Sequence, residues 1–351
     1  MNRFNEKNVT ISQVAAEAHV SMTTISRYLN GKYEYMSAET RQRISNVIQK
    51  LDYHPSNIAR SLKSRSSRCI GCVIADIGSP FSSILLKGIN AVCSAHGYQV
   101  LFSDADDRPE KECKAIQELL DSRVDGLIVN TTGCCDDFLL QMKDRGVPLV
   151  LADRCIGRKN VLDTVTAGNY DITCECMRHL HENGFEKVAF FTPGNGKISP
   201  RLERYRAYCD SMRSLFHVRS TDPLTFDTGR DSPEKIAEQL SQFVQQNPGK
   251  RLAVFCVNGV TMSRVLRAMR LAGIAVGKDF GICGFDDWEW ASLIPPGITT
   301  IAKDSYAIGM KAAEVLLSRI TGEKTGKPVW IELESRLCVR GSTDAAMAAK
   351  F

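Results

Sequence analysis

The chain has 351 residues and a mass of 38.9 kDa, room for two or three domains of about 100–200 residues. Hydrophobic residues make up 43% and charged residues 24%, with no apolar run approaching the roughly 18 residues of a membrane helix, which argues against a disordered or membrane-spanning chain. Residues 1–68 hold 11 Lys+Arg against 5 Asp+Glu and the rest holds 34 against 35, so the whole net charge of +5 lies in the first fifth. A nucleic-acid-binding module on a neutral body carries its charge in this way.

Met1-Asn2-Arg3-Phe4-Asn5-Glu6-Lys7 contains no apolar leader, and a cytoplasmic protein is expected. Thr10-Ile11-Ser12-Gln13 has the capping-box form, which opens a helix with Ile11, Val14, Ala15 and Ala18 on one face. His19-Val20 ends it. Ser21 can cap a second helix, Met22 to Leu29, with Ile25 and Leu29 inward, and Asn30-Gly31 stops it. Ser37 can cap a third, in which Ile44, Val47, Ile48 and Leu51 recur at helical spacing. Two short helices joined by a tight turn and closed by a third make a helix-turn-helix domain. Its second helix would lie in the major groove, with Met22 and Thr23 against base edges. Arg27, one turn on, could bond a guanine bidentately. Thr10, Ser21 and Ser26 are short hydroxyls suited either to phosphate contacts or to plain capping.

Val9-Thr10-Ile11 and Val20-Ser21-Met22-Thr23-Thr24-Ile25-Ser26-Arg27-Tyr28-Leu29-Asn30-Gly31 resemble the signature of the lac/gal repressor family of bacterial transcription regulators. The resemblance extends over nearly the whole chain. The loop Lys32-Tyr33-Glu34-Tyr35-Met36 is one residue longer than the family's usual turn. The resemblance places Asn30 beside DNA as well. It implies a helix-turn-helix domain over 1–55, a hinge over 56–68 and an effector and dimerisation domain over 69–351.

Pro55 ends the third helix, and Asn57-Ile58-Ala59-Arg60-Ser61-Leu62 follows, leading into the basic linker Lys63-Ser64-Arg65-Ser66-Ser67-Arg68. Six or seven residues fall short of the roughly 12–15 that make a helix marginally stable alone, so folding on DNA is expected. The segment resembles the family's hinge helix, which implies DNA contact by Asn57, a close helix–helix contact at Ala59 and a minor-groove wedge at Leu62.

From Cys69 onward, apolar strands alternate with helices: Cys69–Ala75, Tyr98–Ser103, Gly126–Asn130, Pro148–Ala152, Val188–Thr192, Leu252–Val257 and Phe280–Phe285, with helices such as Phe81–His96 and Pro109–Ser122 between them. Such repeats predict an α/β body of parallel sheets covered on both faces. The resemblance implies two Rossmann-like subdomains of the periplasmic-binding-protein kind, about 69–166 with 299–328 and about 167–298 with 329–345. The Cys69/Cys72 pair lies in a strand and points to opposite faces, so it cannot share a metal. Cys174, Cys176, His179 and His181 read better as a packed helix face than as a zinc site. Many of the 13 Cys lie in apolar runs such as Phe255-Cys256-Val257, as small hydrophobes do under reducing conditions. No cofactor or metal is expected.

Ligands of open α/β sheets bind beyond the strand C-termini. Ser79, Phe81, Asn130, Asp153, Arg154, Arg201, Asn258, Asp286, Trp288 and Lys303 follow the predicted strands. Of these, the resemblance implies effector contacts at Asn130, Asp153, Arg201, Asn258 and Asp286. Arg204 falls where the family often has Gly, and Gly259 where it often has Asp. Arg154, Arg201 and Lys303 make the cleft cationic, which fits a sugar acid. Trp288 and Trp290 could stack on a sugar face. The loop Gly31–Ser37 and the stretch Phe285–Trp290 also resemble regulators of 2-keto-3-deoxygluconate use.

The expectation is a dimeric regulator, most simply a repressor, that binds a palindromic operator in double-stranded DNA and is released by a sugar acid. A neutral sugar or other metabolite as effector, and co-repression or activation, stay open. The chain's end carries no leucine heptads, which favours a homodimer over a tetramer. No GxSxG, GxxxxGK[ST] or HExxH is present, and no GxGxxG opens a helix after a strand, so no enzyme is expected.

Overall fold

The computed structural model describes residues 9–29, 31–53, 66–157, 159–194, 196–229, 231–277, 280–344 and 346. The chain divides into two compact units, Met1–Ser67 and Arg68–Phe351.

In the first unit, three helices enclose a small core: α1 (Ile11–Glu17), α2 (Met22–Leu29) and α3 (Ala38–Lys50). Each begins at a hydroxyl cap. Thr10 Oγ1 accepts from Gln13 N–H at 3.3 Å, and Gln13 Oε1 accepts from Thr10 N–H at 2.8 Å, which completes the capping box. Ser21 accepts from Thr24 N–H and Ser37 from Thr40 N–H. Val14, Ala18, Ile25 and Ile44 are fully buried where the three helices meet. Ile11, Leu29, Ile48 and Leu51 pack at the rim. A 3-10 turn, Tyr33–Tyr35, joins α2 to α3.

The second unit holds two six-stranded sheets. The first contains β1 (Cys69–Ile74), β2 (Gln99–Asp104), β3 (Gly126–Val129), β4 (Leu149–Ala152), β5 (Asp163–Ala167) and β11 (Trp330–Leu333), in the order β11-β5-β4-β3-β1-β2 and parallel throughout. The second contains β6 (Lys187–Thr192), β7 (Thr225–Asp227), β8 (Leu252–Cys256), β9 (Gly281–Phe285), β10 (Thr299–Lys303) and β12 (Ser335–Cys338), in the order β12-β10-β9-β8-β6-β7. Only β12 runs antiparallel. Buried strands such as Leu252–Cys256 read as unbroken apolar runs because helices cover both faces.

The first sheet is flanked by α4 (Pro80–Ala95), α5 (Pro109–Asp121), α6 (Asp136–Asp144) and α12 (Ser305–Ile320). The second is flanked by α7 (Tyr170–Glu182), α8 (Ser199–Ser214), α9 (Pro233–Gln245) and α10 (Gly259–Ala272), with the short α11 (Trp290–Leu293) after β9.

Two expected crossing points need correction. Residues 299–303 pair with β9 and belong to the second sheet, whereas Trp330–Leu333 pairs with β5 in the first. The chain therefore crosses after Lys303 and again between Leu333 and Ser335, because α12 must reach the first sheet to bury Ile308, Ala312 and Leu316. Cys69 and Cys72 sit in β1, with Cys72 fully buried and Cys69 partly exposed. On α7, Cys176 is buried in the core, His179 Nε2 meets Thr343 Oγ1 at 2.8 Å and the His181 ring lies edge-on to Phe216. Cys174 is half-buried and His181 exposed, so the expected packed face is only partly formed, and no group of three or more metal-ligating side chains gathers among the described residues.

Helices α4 and α12 touch through glycines. A Cβ on Gly88 would fall inside the Tyr306 carbonyl oxygen, and one on Gly309 inside the Leu85 carbonyl oxygen. Backbone cannot yield as a side chain can. Gly88→Ala should lower unfolding stability by about 3 kcal/mol in urea melts. Gly157→Ala should leave it unchanged, since that Cβ meets only Asp136 Oδ2 at 3.9 Å.

Candidate functional site

In the second unit, the C-terminal ends of the two sheets carry the side chains expected at an effector cleft. Asp153 directly follows β4 and Asp286 directly follows β9. Both adopt the left-handed region, with φ of 66° and 76°. Their amides stay in the sheets: Asp153 N–H donates to Val165 O and Asp286 N–H to Ile301 O. The turn swings both carboxylates toward the end of β10. There Lys303 Nζ lies 2.9 Å from Asp153 Oδ1 and 3.9 Å from Asp286 Oδ1. Lys303 is 5% exposed, and its ammonium also sits 4.1 Å from the centre of the buried Phe81 ring. Asp286 Oδ2 accepts from Gly259 N–H at 2.9 Å, at the start of α10.

The cleft's cations are not equivalent. Lys303 is already matched by two carboxylates. Arg154 donates to Asp107 Oδ1 at 3.2 Å and to Thr131 O at 3.0 Å. Lys303 and Arg154, two of the three cations expected to favour an acidic ligand, thus have partners within the protein. Arg201 and Arg204 differ. The Arg201 side chain makes no hydrogen bond or ion pair among the described residues. Burial, reinforced by the like charge of Arg154, pushes its guanidinium down to about 10. Arg204 is 3% exposed and fixed in place: Nε donates to Asn169 Oδ1 at 2.8 Å, Nη1 donates to Val257 O at 2.7 Å, and the guanidinium lies 3.5 Å from the centre of the Phe285 ring. Its Nη2 is buried with no hydrogen-bond partner. Burial depresses its pKa, with Asp286 and Asp153 opposing that shift. Cationic donors buried without an acceptor are costly and lack only an anion.

The remaining predicted cleft residues have clear local roles. Asn130 is buried and donates Nδ2 to Ala152 O, tying β3 to β4. Asn258 caps α10 by accepting from Thr261 N–H at 2.9 Å. Ser79 sits at the N-cap of α4 without a side-chain cap bond. Trp288 lies flat on Gly259, where a Cβ would meet the ring at 2.6 Å, and Trp290 packs edge-on against it. The two lobes touch where Cys155 N–H donates to Ser199 Oγ at 2.8 Å.

Arg204 and Asn169 were not foreseen as site residues. Arg204 lies on the inward stripe of α8 with Pro200, Ala207, Tyr208 and Ser211. That helical spacing is the signal that marks it as buried.

On the first unit, Met22 is 52% exposed, and Thr23 and Arg27 are exposed beside it on α2. The hydroxyls of Thr10 and Ser21 are engaged as caps. Ser26 is half-buried on α2. Asn30, Asn57, Ala59 and Leu62 lie outside the described residues, as does the expected hinge helix.

Lys303→Met would leave two buried carboxylates facing each other. It should cost about 3–5 kcal/mol in urea unfolding, and Asp153→Asn on that background should recover part of the loss.

Residues 10–56 match the model of bacterial regulatory proteins of the lacI family, and residues 177–343 match the periplasmic binding protein-like domain. The chain is 38% identical over 342 residues to the HTH-type transcriptional regulator KdgR of Bacillus subtilis (strain 168), covering 97% of this chain and 100% of that protein. It is 34% identical over 337 residues to PtxS of Pseudomonas putida, covering 96% of each. Its fold matches a lac repressor dimer bound to operator and the anti-inducer ONPF, with a TM-score of 0.80, 24% identity and coverage of 96% of this chain and 99% of that one. A three-helix reader, two parallel-sheet lobes and a full-length match to these regulators agree: the chain belongs to the lacI family of bacterial regulatory proteins.

Proposed function

We propose that this regulator binds a palindromic operator as a homodimer in the cytoplasm, catalyses no reaction, and is released from DNA by a sugar acid. Residues 1–55 would bind DNA, 56–68 would form the hinge and the remainder would bind effector and dimerise. In the reader, Met22, Thr23 and Arg27 would face base edges. Thr10, Ser21, Ser26, Asn30 and Asn57 would meet the backbone, with Ala59 and Leu62 at the operator centre.

One observation carries the effector class: the buried Nη2 of Arg204 has no acceptor, and Arg201 beside it on α8 is unpaired. A carboxylate satisfies such donors, and a guanidinium fork can grip both of its oxygens. Asp153, Asp286 and the free amide of Asn258 suit hydroxyl groups. Trp288 offers an aromatic face to the ring or chain carbons.

Thermal shift with hexuronates, gluconate, keto-deoxy sugar acids, neutral sugars and phosphorylated sugars tests this. A ligand at 100 times its Kd adds about 2.7 kcal/mol of stability, and the shift should come from the acids. A shift with neutral sugars alone would reject the acid. Arg201→Ala should weaken the acid by about tenfold or more in calorimetry, the value of one charged hydrogen bond. Thr10→Ala and Leu62→Glu, made separately, should each weaken operator binding in fluorescence anisotropy while ligand affinity is kept. Loss of ligand affinity in either would contradict the division of roles.

A further inference from the structure

We propose that Tyr35 is a specificity-determining positioning residue, whose ring holds the Arg27 guanidinium ready to read a base. The inference rests on the reading of Arg27 as a base contact and adds to it the device that orients the side chain.

The loop between α2 and α3 is a built structure. Lys32 N–H donates to Arg27 O at 3.0 Å, and Met36 N–H donates to Tyr33 O at 3.1 Å. The Tyr33 ring is held from two sides. Tyr28 of α2 meets it edge-on at 5.7 Å, and the Arg41 guanidinium of α3 lies 3.8 Å from its centre. These contacts pin the turn to both helices. Tyr35, two residues on, then comes back toward α2, and the Arg27 guanidinium lies 4.8 Å from its ring centre. Tyr35 is 62% exposed, so core packing does not explain its placement.

The Arg27 guanidinium makes no hydrogen bond or ion pair among the described residues. This matters chemically. A carboxylate partner would occupy the N–H fork that a guanine needs. An aromatic ring engages the π face of the guanidinium and leaves its in-plane donors free for O6 and N7. It also removes part of the rotamer freedom that a long side chain otherwise loses on binding.

The test uses the full chain and a half-site obtained by selection from random duplexes. Affinities are measured for the selected duplex and for each single base-pair change, with the wild type and with Arg27→Ala, Tyr35→Ala, Tyr35→Leu and Tyr35→Phe. Arg27→Ala should lose the preference at one guanine per half-site. Tyr35→Ala and Tyr35→Leu should weaken discrimination at that same base pair by about two- to fivefold, the range for an exposed cation–π contact, with other positions unchanged. Tyr35→Phe should keep it. A uniform loss across all sequences that Tyr35→Phe shares would assign the phenol to a phosphate and overturn the proposal. Full discrimination in both Tyr35→Ala and Tyr35→Leu would overturn it too. If Arg27→Ala keeps the guanine preference, the base-reading assignment itself fails, and that result is distinct from the other two.

Discussion

A single buried ammonium bridges the strand ends of the two effector lobes. Lys303 sits at the end of β10 between Asp153 of the first sheet and Asp286 of the second. Without it, two carboxylates would face each other out of water, and like charges so placed repel strongly. Both aspartates reach the ammonium only through left-handed turns at their strand ends, a conformation uncommon outside glycine. Their other bonds spread the constraint outward. The Asp153 carbonyl accepts from Thr166 Oγ1, which fixes β5, and Asp286 Oδ2 accepts from the first amide of α10. One charge cluster therefore ties the strand ends of the two sheets together.

That cluster also decides which positive charges remain for a ligand. Among the described residues, Lys303, Arg154, Arg201 and Arg204 lie near these strand ends, and they differ in whether they already have partners. Lys303 and Arg154 are spent within the protein. Arg201 and Arg204, one helical turn apart on α8, keep unsatisfied donors. The donors left without acceptors are therefore concentrated on one helix of one lobe. An anion gripped there would pull on α8, which already reaches the opposite lobe through Ser199 and Cys155.

Much of this was readable from the residues. The capping hydroxyls of the first unit, its inward stripe and the long apolar strands are local patterns, and local patterns survive translation into structure. Strand ends also pointed to Asp153, Asn258 and Asp286. What escaped was of two kinds. Short polar strands such as Asp163–Ala167, Thr225–Asp227 and Ser335–Cys338 owe their form to neighbours in the sheet rather than to their own composition. Partnerships across 150 residues, such as Lys303 with Asp153, leave no trace in spacing. A positive charge seen in a sequence carries no sign of whether it is already paid for. Arg204 was not singled out as a site residue, because its residue type gave no sign of burial while its helical phase placed it on the inward stripe.

The contact between Trp288 and Gly259 couples two positions at the end of the second sheet. The indole occupies the volume where any side chain at position 259 would begin. A side chain at 259 and an indole so placed exclude each other, so the aromatic face at this corner exists only while position 259 stays bare.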